Sequence, residues 1–143
     1  MITPTKQQSY SLSFLEGLAH RKFSSHLTKT LTNHNLSIPE WKLLGQLLEN
    51  GSLKLADIAQ LLSVEPPLVT ALVDRLEKND FVKRQHDAKD HRAKIIQVTG
   101  KGLRVMEEIE PQIQETIQEL LKGITQEELT KYMKVMTTII ANE

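Results

Sequence analysis

The segment "VTALVDRLEKNDFVKRQHDAKDHRAKIIQVTG", residues 69–100, decides the fold. Its first ten residues place apolar side chains at helical spacing. The "ND" that follows ends the helix, because Asn and Asp tolerate a left-handed backbone better than any residue except glycine. Two short stretches rich in bulky or β-branched residues, 81–85 and 94–98, then bracket an eight-residue loop at 86–93. This order predicts a helix followed by a long β-hairpin.

The hairpin loop and its flanks mix charges of both signs densely. Cations alone would repel one another, so we expect Asp87 and Asp90 to accept hydrogen bonds from loop N–H groups and from Arg92. These bonds would order the loop and aim the Arg92 guanidinium outward. The cations of this region are Lys83, Arg84, Lys89, Arg92 and Lys94.

The preceding residues complete a helix-turn-helix. Apolar spacing predicts a short helix at 54–62 with Ser52 as its N-cap, and the turn "LSVE" follows it. Pro66 and Pro67 suit the first turn of the second helix, where backbone N–H groups lack helical partners in any case. Two helices and a hairpin in this order indicate a winged helix-turn-helix. Its second helix fits a DNA major groove about 12 Å wide, and its wing reaches the minor groove or the backbone.

Amphipathic helices flank this lobe on both sides. Apolar periodicity predicts them at about 9–33, 100–122 (with Thr99 as N-cap) and 126–141, and it predicts a further helix within the lobe at 39–50. Their apolar faces exceed what one lobe of this size buries, which indicates an intermolecular core and a homodimer. A two-fold dimer would also space two recognition helices about one DNA turn apart, roughly 34 Å.

The predicted fold class is therefore mostly α (α+β), in a single domain of residues 1–143. Residues 36–100 form the winged helix-turn-helix lobe with a two-stranded wing. Residues 1–35 and 101–143 form the N- and C-terminal dimerisation helices. A chain of 143 residues is long enough to bury a core of its own.

Composition narrows the class of protein further. The absence of cysteine excludes disulfides and thiolate metal sites. The net charge is zero, yet residues 64–104 hold nine Lys/Arg against six Asp/Glu, and residues 105–143 hold three against eight. This asymmetry is a weak pointer to an anionic partner for the middle segment. No signal-peptide pattern and no apolar run approaching about 18 residues occurs, which predicts a cytoplasmic protein without a membrane partner.

Four stretches carry a resemblance to a known family: "IPEWKLL", "LADIAQLL", "VTALVDRLEKNDFVKR" and "DAKDHRAKIIQVTGKG". Through them the sequence resembles the MarR family of bacterial transcription regulators over nearly its whole length. The resemblance implies that 66–79 is the recognition helix, that 81–98 is the wing, and that Asp90 and Arg92 are the functional pair of the wing. It also implies a two-fold dimer and regulation by small anionic aromatic ligands, bound between the dimer helices and the DNA-binding lobe.

The recognition helix departs from the family pattern. Pro67, Leu68 and Ala71 occupy positions where the family commonly has Ser or Thr and an Arg, and Asp80 replaces the usual glycine before the wing. Readout of bases is therefore expected to be sparse. It would rest on Thr70, on Arg75, and on an apolar contact from Leu68 or Ala71 to a thymine methyl group. Specificity would then depend more on DNA shape and on the wing.

The candidate DNA-binding residues are those expected to be exposed to solvent on the second helix or on the wing. For the cations, the alternative is a solvated surface role, and Arg75 has the further alternative of an ion pair with Asp74 or Glu77. Asp87 and Asp90 are assigned to ordering the wing. The candidates for DNA contact are Arg92, Thr70, Lys89, Lys94, Arg75 and Leu68.

A pocket for a small aromatic or anionic ligand is expected where the helical scaffold meets the lobe. Apolar walls with one cation would suit such a ligand. Core packing explains Phe14, Trp41 and Leu44 equally well. The candidate lining is Phe14, His20, Arg21, Trp41 and Leu44.

The predicted function is that of a sequence-specific DNA-binding transcription regulator. It would be a repressor that binds a pseudo-palindromic duplex and leaves the DNA when a small molecule binds. The alternative is a winged-helix protein-interaction module with weak or no DNA readout, which Leu68 and Ala71 favour. No nucleophile–base pair or carboxylate pair points to an enzyme. No metal or cofactor is expected, because the ligand-type residues of the wing, "HDAKDH", have no fixed geometry.

Overall fold

The computed structural model describes residues 1–90 and 92–143, which form six helices and three strands. The predicted class, a mostly helical winged helix-turn-helix, is confirmed. The elements are α1 (Lys6–Thr32), α2 (Ile38–Asn50), β1 (Leu53–Lys54), α3 (Leu55–Leu62), α4 (Pro66–Lys78), β2 (Val82–His86), β3 (Lys94–Val98), α5 (Gly100–Leu120) and α6 (Gln126–Ala141).

The wing belongs to a three-stranded antiparallel sheet in the order β1-β3-β2. Strands β2 and β3 pair from Val82 opposite Val98 to His86 opposite Lys94, so the loop begins one residue later than predicted, at Asp87. The prediction that residue 54 opens α3 under a Ser52 cap is wrong. Leu53 and Lys54 instead pair with β3, and α3 begins at Leu55. This short strand joins the start of the helix-turn-helix to the wing.

Side-chain caps set where several helices begin. Thr5 and Gln8 form a capping box at α1, so that helix begins at Lys6, three residues earlier than predicted. Ser37 caps α2 by accepting a hydrogen bond from the Glu40 N–H. Thr99 caps α5 as predicted, with its Oγ1 accepting from the Gly102 N–H at 3.0 Å.

The junction between the wing and α5 is tightly packed. A Cβ atom on Gly102 would lie 2.2 Å from the Phe81 carbonyl oxygen, so only glycine lets the helix approach this closely. Thr99 also donates its hydroxyl to the carbonyl oxygen of Asp80, whose φ is +60°. The Thr-x-x-Gly pattern therefore serves to dock α5 onto the start of the wing.

The hydrophobic core lies within the lobe and under the second half of α1 and the middle of α5. Helix α6 contributes no buried residue, and the first half of α1 is largely exposed. A single chain therefore leaves the outer helices uncovered. The largest fully buried side chains are Leu31, Leu43, Leu44, Ile58, Leu76, Ile96, Ile109, Val69, Val73 and Val82.

Across the described residues, no single helix is both long and apolar enough to cross a membrane. Helices α3 and α4 meet the length and composition of a span only as a pair bent by 109°.

Candidate nucleic-acid interface

Helix α4 has one buried face and one solvent-exposed face. Val69, Leu72, Val73 and Leu76 face the core, while the opposite side is open to solvent. Thr70 is exposed, and its hydroxyl donates to the Pro66 carbonyl oxygen at 3.2 Å. The exposed side chains are Pro66, Pro67, Leu68, Thr70, Ala71, Asp74, Arg75 and Lys78.

Arg75 fixes α4 to α2. Its Nη2 donates to Glu40 Oε1 at 2.7 Å, and the Ser37 hydroxyl donates to the same oxygen at 2.7 Å. Glu40 is only 5% exposed, so its carboxylate depends on these donors. The alternative in which Arg75 pairs with Asp74 or Glu77 is wrong, because the ion pair reaches across to a different helix. This pair restricts how freely Arg75 can turn toward DNA.

Arg84 on β2 holds the wing against α4. Its guanidinium donates to Asp74 and, at 2.6 Å, to Glu77 Oε1, while its backbone N–H donates to Glu77 Oε2 at 3.3 Å. The hydrogen bond with Asp74 is the main cause that raises the pKa of Arg84, with the charge of Glu77 adding and burial opposing. Hydrogen bonds from one residue therefore link the wing to the recognition helix.

The wing loop is ordered through its backbone. Asp87 Oδ1 accepts from the Lys89 N–H at 3.1 Å, and Asp90 Oδ1 accepts from the Arg92 N–H at 3.0 Å. Lys54 Nζ lies 3.7 Å from the other carboxylate oxygen of Asp87. The prediction that these acids also hold the Arg92 guanidinium is wrong. Considering residues 1–90 and 92–143, neither carboxylate contacts it, so the acids order the loop backbone and leave the guanidinium in solvent.

Three of the four cations proposed from the sequence for DNA contact project from the wing, and the fourth, Arg75, lies on α4. Arg92, Lys89 and Lys94 are all exposed. His91, which entered the rejected metal-site hypothesis, lies outside the described residues. Elsewhere in the described chain there is no group of three or more His, Asp or Glu side chains that would hold a metal ion.

The five residues suggested as a ligand pocket do not form one within the described residues of a single chain. Leu44 is fully buried in the core and Trp41 is packed against it. Phe14, His20 and Arg21 lie exposed on α1, where the Phe14 ring stacks on Tyr10 at a centroid distance of 5.9 Å. Two shallow hollows lie elsewhere, one between α5 and α6 and one between α1 and α5.

Three contributors to this site were absent from the candidates for DNA contact: Glu40, Arg84 and Lys54. Each forms an ion pair between elements, with partners that only the folded chain brings together. The "S-x-x-E" spacing of Ser37 and Glu40 was a usable signal for the Ser37 cap of α2, but it did not indicate Arg75 as a partner of Glu40.

A helix-turn-helix whose second helix is joined to a β-hairpin tipped with exposed cations defines a winged helix-turn-helix lobe, an architecture that many DNA-binding proteins use. The model of the "MarR family" matches residues 36–94. Over these residues the chain is similar to the MarR family, as the motifs quoted from the sequence predicted.

Solved structures share the fold at low sequence identity. A mutant of Escherichia coli MarR in complex with operator DNA is 20% identical, with a TM-score of 0.84 covering 96% of this chain and 99% of that one. Bordetella bronchiseptica BpsR, described for regulation of its DNA binding by 6-hydroxynicotinic acid, is 18% identical. Its TM-score is 0.83, over 92% and 94% of the two chains.

Curated relatives come from Bacillus subtilis among other bacteria. The HTH-type transcriptional regulator YfiV is 38% identical over 71 residues, which are 50% of this chain and 44% of YfiV. The HTH-type transcriptional regulator MhqR is 24% identical over 136 residues, 95% of this chain and 94% of MhqR.

Proposed function

We propose that the chain acts as a homodimeric repressor that binds a pseudo-palindromic DNA duplex and is released by a small molecule. The observation that carries this proposal is that the wing is attached to α4. Arg84 on the hairpin forms ion pairs with Asp74 and Glu77 on α4, and Arg92 is exposed at the tip of the hairpin. A recognition helix tied to a hairpin whose tip carries an exposed cation suits two adjacent grooves of one duplex.

The contacts would divide between backbone and bases. Lys89, Arg92 and Lys94 would meet phosphates or the minor groove, where guanidinium and ammonium groups supply affinity without sequence information. Leu68 and Thr70 would face base edges in the major groove. Arg75, whose side chain is 60% exposed beside its ion pair with Glu40, would add a phosphate contact.

A second copy of the chain would cover the outer helices. Helix α6 has 16 residues and buries none of them, although an isolated helix of that length is marginal in water. Its apolar side chains and those of the first half of α1 give two copies a surface to bury together. They are Tyr132, Met133, Val135, Met136, Ile139 and Ile140 on α6, with Tyr10, Leu12, Phe14, Leu15 and Leu18 on α1.

The ligand would be a small aromatic or anionic molecule bound between the dimer helices and the lobe. His20 and Arg21 are exposed on α1, near the apolar side chains that a partner copy would enclose. The reported effect of 6-hydroxynicotinic acid, an aromatic carboxylate, on BpsR supports this chemical class. Binding would change the distance between the two lobes and thus disfavour the DNA-bound geometry.

The role would be regulatory and not catalytic, and a duplex DNA partner implies a cytoplasmic location. The test is selection of bound duplexes from a random library, followed by fluorescence anisotropy of the selected duplex over a range of salt concentrations. We expect selected duplexes with two related half-sites and an affinity whose logarithm falls linearly with the logarithm of salt concentration. Failure to enrich any duplex would favour the protein-interaction module instead.

A further inference from the structure

The exposed side chains of α4 that are not engaged in ion pairs indicate which bases the helix can recognise. Arg75 is bound to Glu40, and Asp74 is bound to Arg84. The central charged side chains of the exposed face are thus engaged by other elements of the lobe. After Pro66, the first residue of the helix, what remains in the N-terminal half is Pro67, Leu68, Thr70 and Ala71. This is the part that enters the groove in helix-turn-helix proteins.

These four side chains lack the groups that bind guanine or adenine in two-point fashion. Guanine is recognised by Arg or Lys and adenine by Asn or Gln. Thr70 has one hydroxyl, and its proton is already donated to the Pro66 carbonyl oxygen. The base-edge feature that suits Pro, Leu and Ala is the C5-methyl group of thymine, which projects into the major groove.

Leu68 is the most conspicuous of the four because its side chain is large, apolar and 46% exposed. Pro67 and Ala71 lie one helical turn apart on the same exposed face, so the apolar surface extends along α4. Arg84 joins this helix to the cationic wing through its ion pairs with Asp74 and Glu77. An apolar strip on a helix that is fixed to a cationic hairpin suits a groove that has methyl groups between two rows of phosphates.

We propose that α4 recognises thymine methyl groups, so that each half-site carries thymines opposite Leu68 and Ala71. This inference rests on the proposed function, since it specifies the base chemistry of the same DNA site. Leu68 is the specificity-determining residue, and Arg75 and Arg84 are positioning residues that hold its helix against α2 and the wing.

The experiment uses the full-length chain and a duplex selected from a random library. Each thymine of the half-site is replaced in turn by uracil, which removes the methyl group and keeps every hydrogen-bonding atom. We expect affinity to fall about fourfold for each contacted methyl, the value of one buried CH₂-sized group. Uracil at thymines outside the half-sites should leave affinity unchanged.

Variants assign the effect to the side chain. In Leu68→Ala, uracil at the position facing residue 68 should no longer reduce affinity, whereas Leu68→Met should retain the sensitivity. Leu48→Ala, which truncates an exposed leucine on α2, is the matched control and should behave as the parent chain. Circular dichroism of each variant checks that the fold is intact.

The failure of this inference is distinguishable from that of the proposed function. If a duplex is selected and bound with the expected salt dependence, but uracil has no effect at any half-site position, the thymine inference is overturned and the proposed function stands. The inference is overturned equally if Leu68→Ala keeps the parent's sensitivity to uracil. If no duplex is selected, the proposed function fails and takes the inference with it.

Discussion

The Nη2 atom of Arg75 on α4 lies 2.7 Å from Oε1 of Glu40, a carboxylate buried at the start of α2. The two residues are 35 positions apart in the sequence. The pair anchors the helix that faces the proposed DNA site to the first long helix of the lobe. Removing one partner should not cost the same stability as removing the other, because Glu40 is buried and Arg75 is largely exposed.

This asymmetry predicts unequal effects for the two halves of the pair. Arg75→Ala leaves a buried carboxylate with only Ser37 as donor and should lower the free energy of unfolding by about 1–3 kcal/mol. Glu40→Gln keeps an oxygen that can accept from both donors and removes the buried negative charge, so it should cost less. Urea denaturation measures both. Lys42→Ala, on the exposed side of α2, is the control, and equal losses for the two test variants would contradict the interpretation.

Arg84→Ala should separate the wing from α4. The paired acids Asp74 and Glu77 are partly exposed, so we expect a stability loss of only about 1 kcal/mol or less. Amide hydrogen exchange in β2 and β3 should nevertheless accelerate, and affinity for a selected duplex should fall about tenfold as the wing loses its fixed position. Arg84→Lys should restore little, since an ammonium cannot contact two carboxylates in the geometry of a guanidinium.

The control for the hydrogen-exchange part is Lys83→Ala, which removes the exposed neighbouring cation on the same strand. It should leave exchange in the hairpin as in the parent chain. Unchanged exchange in Arg84→Ala would show that strand pairing alone fixes the wing.

Gly102→Ala should be strongly destabilising. The added methyl group would meet the Phe81 carbonyl oxygen, a backbone atom that cannot turn aside. Overpacking of this kind costs typically about 1–3 kcal/mol, and we expect the upper end. Gly100→Ala is a close control, because its methyl group would meet only the flexible end of Arg104. Thermal unfolding should separate the two variants clearly, and equal midpoints would refute tight docking of α5 on the wing.

Ile139→Asp should prevent assembly if α6 forms part of a dimer. A carboxylate placed among apolar side chains in an intermolecular core would remain unpaired. Lys134→Glu, on the opposite side of the helix, should leave assembly intact. Sedimentation velocity reports the mass of each variant. A parent chain that sediments as a monomer at micromolar concentration would contradict the proposed dimer.

The sequence predicted the lobe well because its signals are local. Prolines in the first turn of α4, the left-handed Asp80, the strands of the wing and the Thr99 cap each depend on a few neighbouring residues. Strand β1 was missed because two residues carry no periodicity, and their pairing with β3 is visible only in three dimensions.

The ion pairs of the interface could not be predicted for a related reason. Glu40 and Arg75 are in contact because α2 packs against α4 with these two side chains facing each other. Arg84 contacts two carboxylates because β2 lies alongside α4. Sequence spacing allowed Arg75 to pair with its helical neighbours Asp74 or Glu77. Those acids pair with Arg84 instead, because of how β2 lies against α4, and no local sequence pattern shows that placement.

The central claim, that the wing places Arg92 against duplex DNA, is tested most directly by the salt dependence of binding. Affinity of the parent chain and of Arg92→Ala for the same selected duplex is measured across salt concentrations, with Arg104→Ala on the exposed surface of α5 as control. We predict that Arg92→Ala weakens binding by about 1–3 kcal/mol and reduces the salt slope by about one for each phosphate that Arg92 neutralises. An affinity and slope for Arg92→Ala indistinguishable from those of the parent chain would contradict the account.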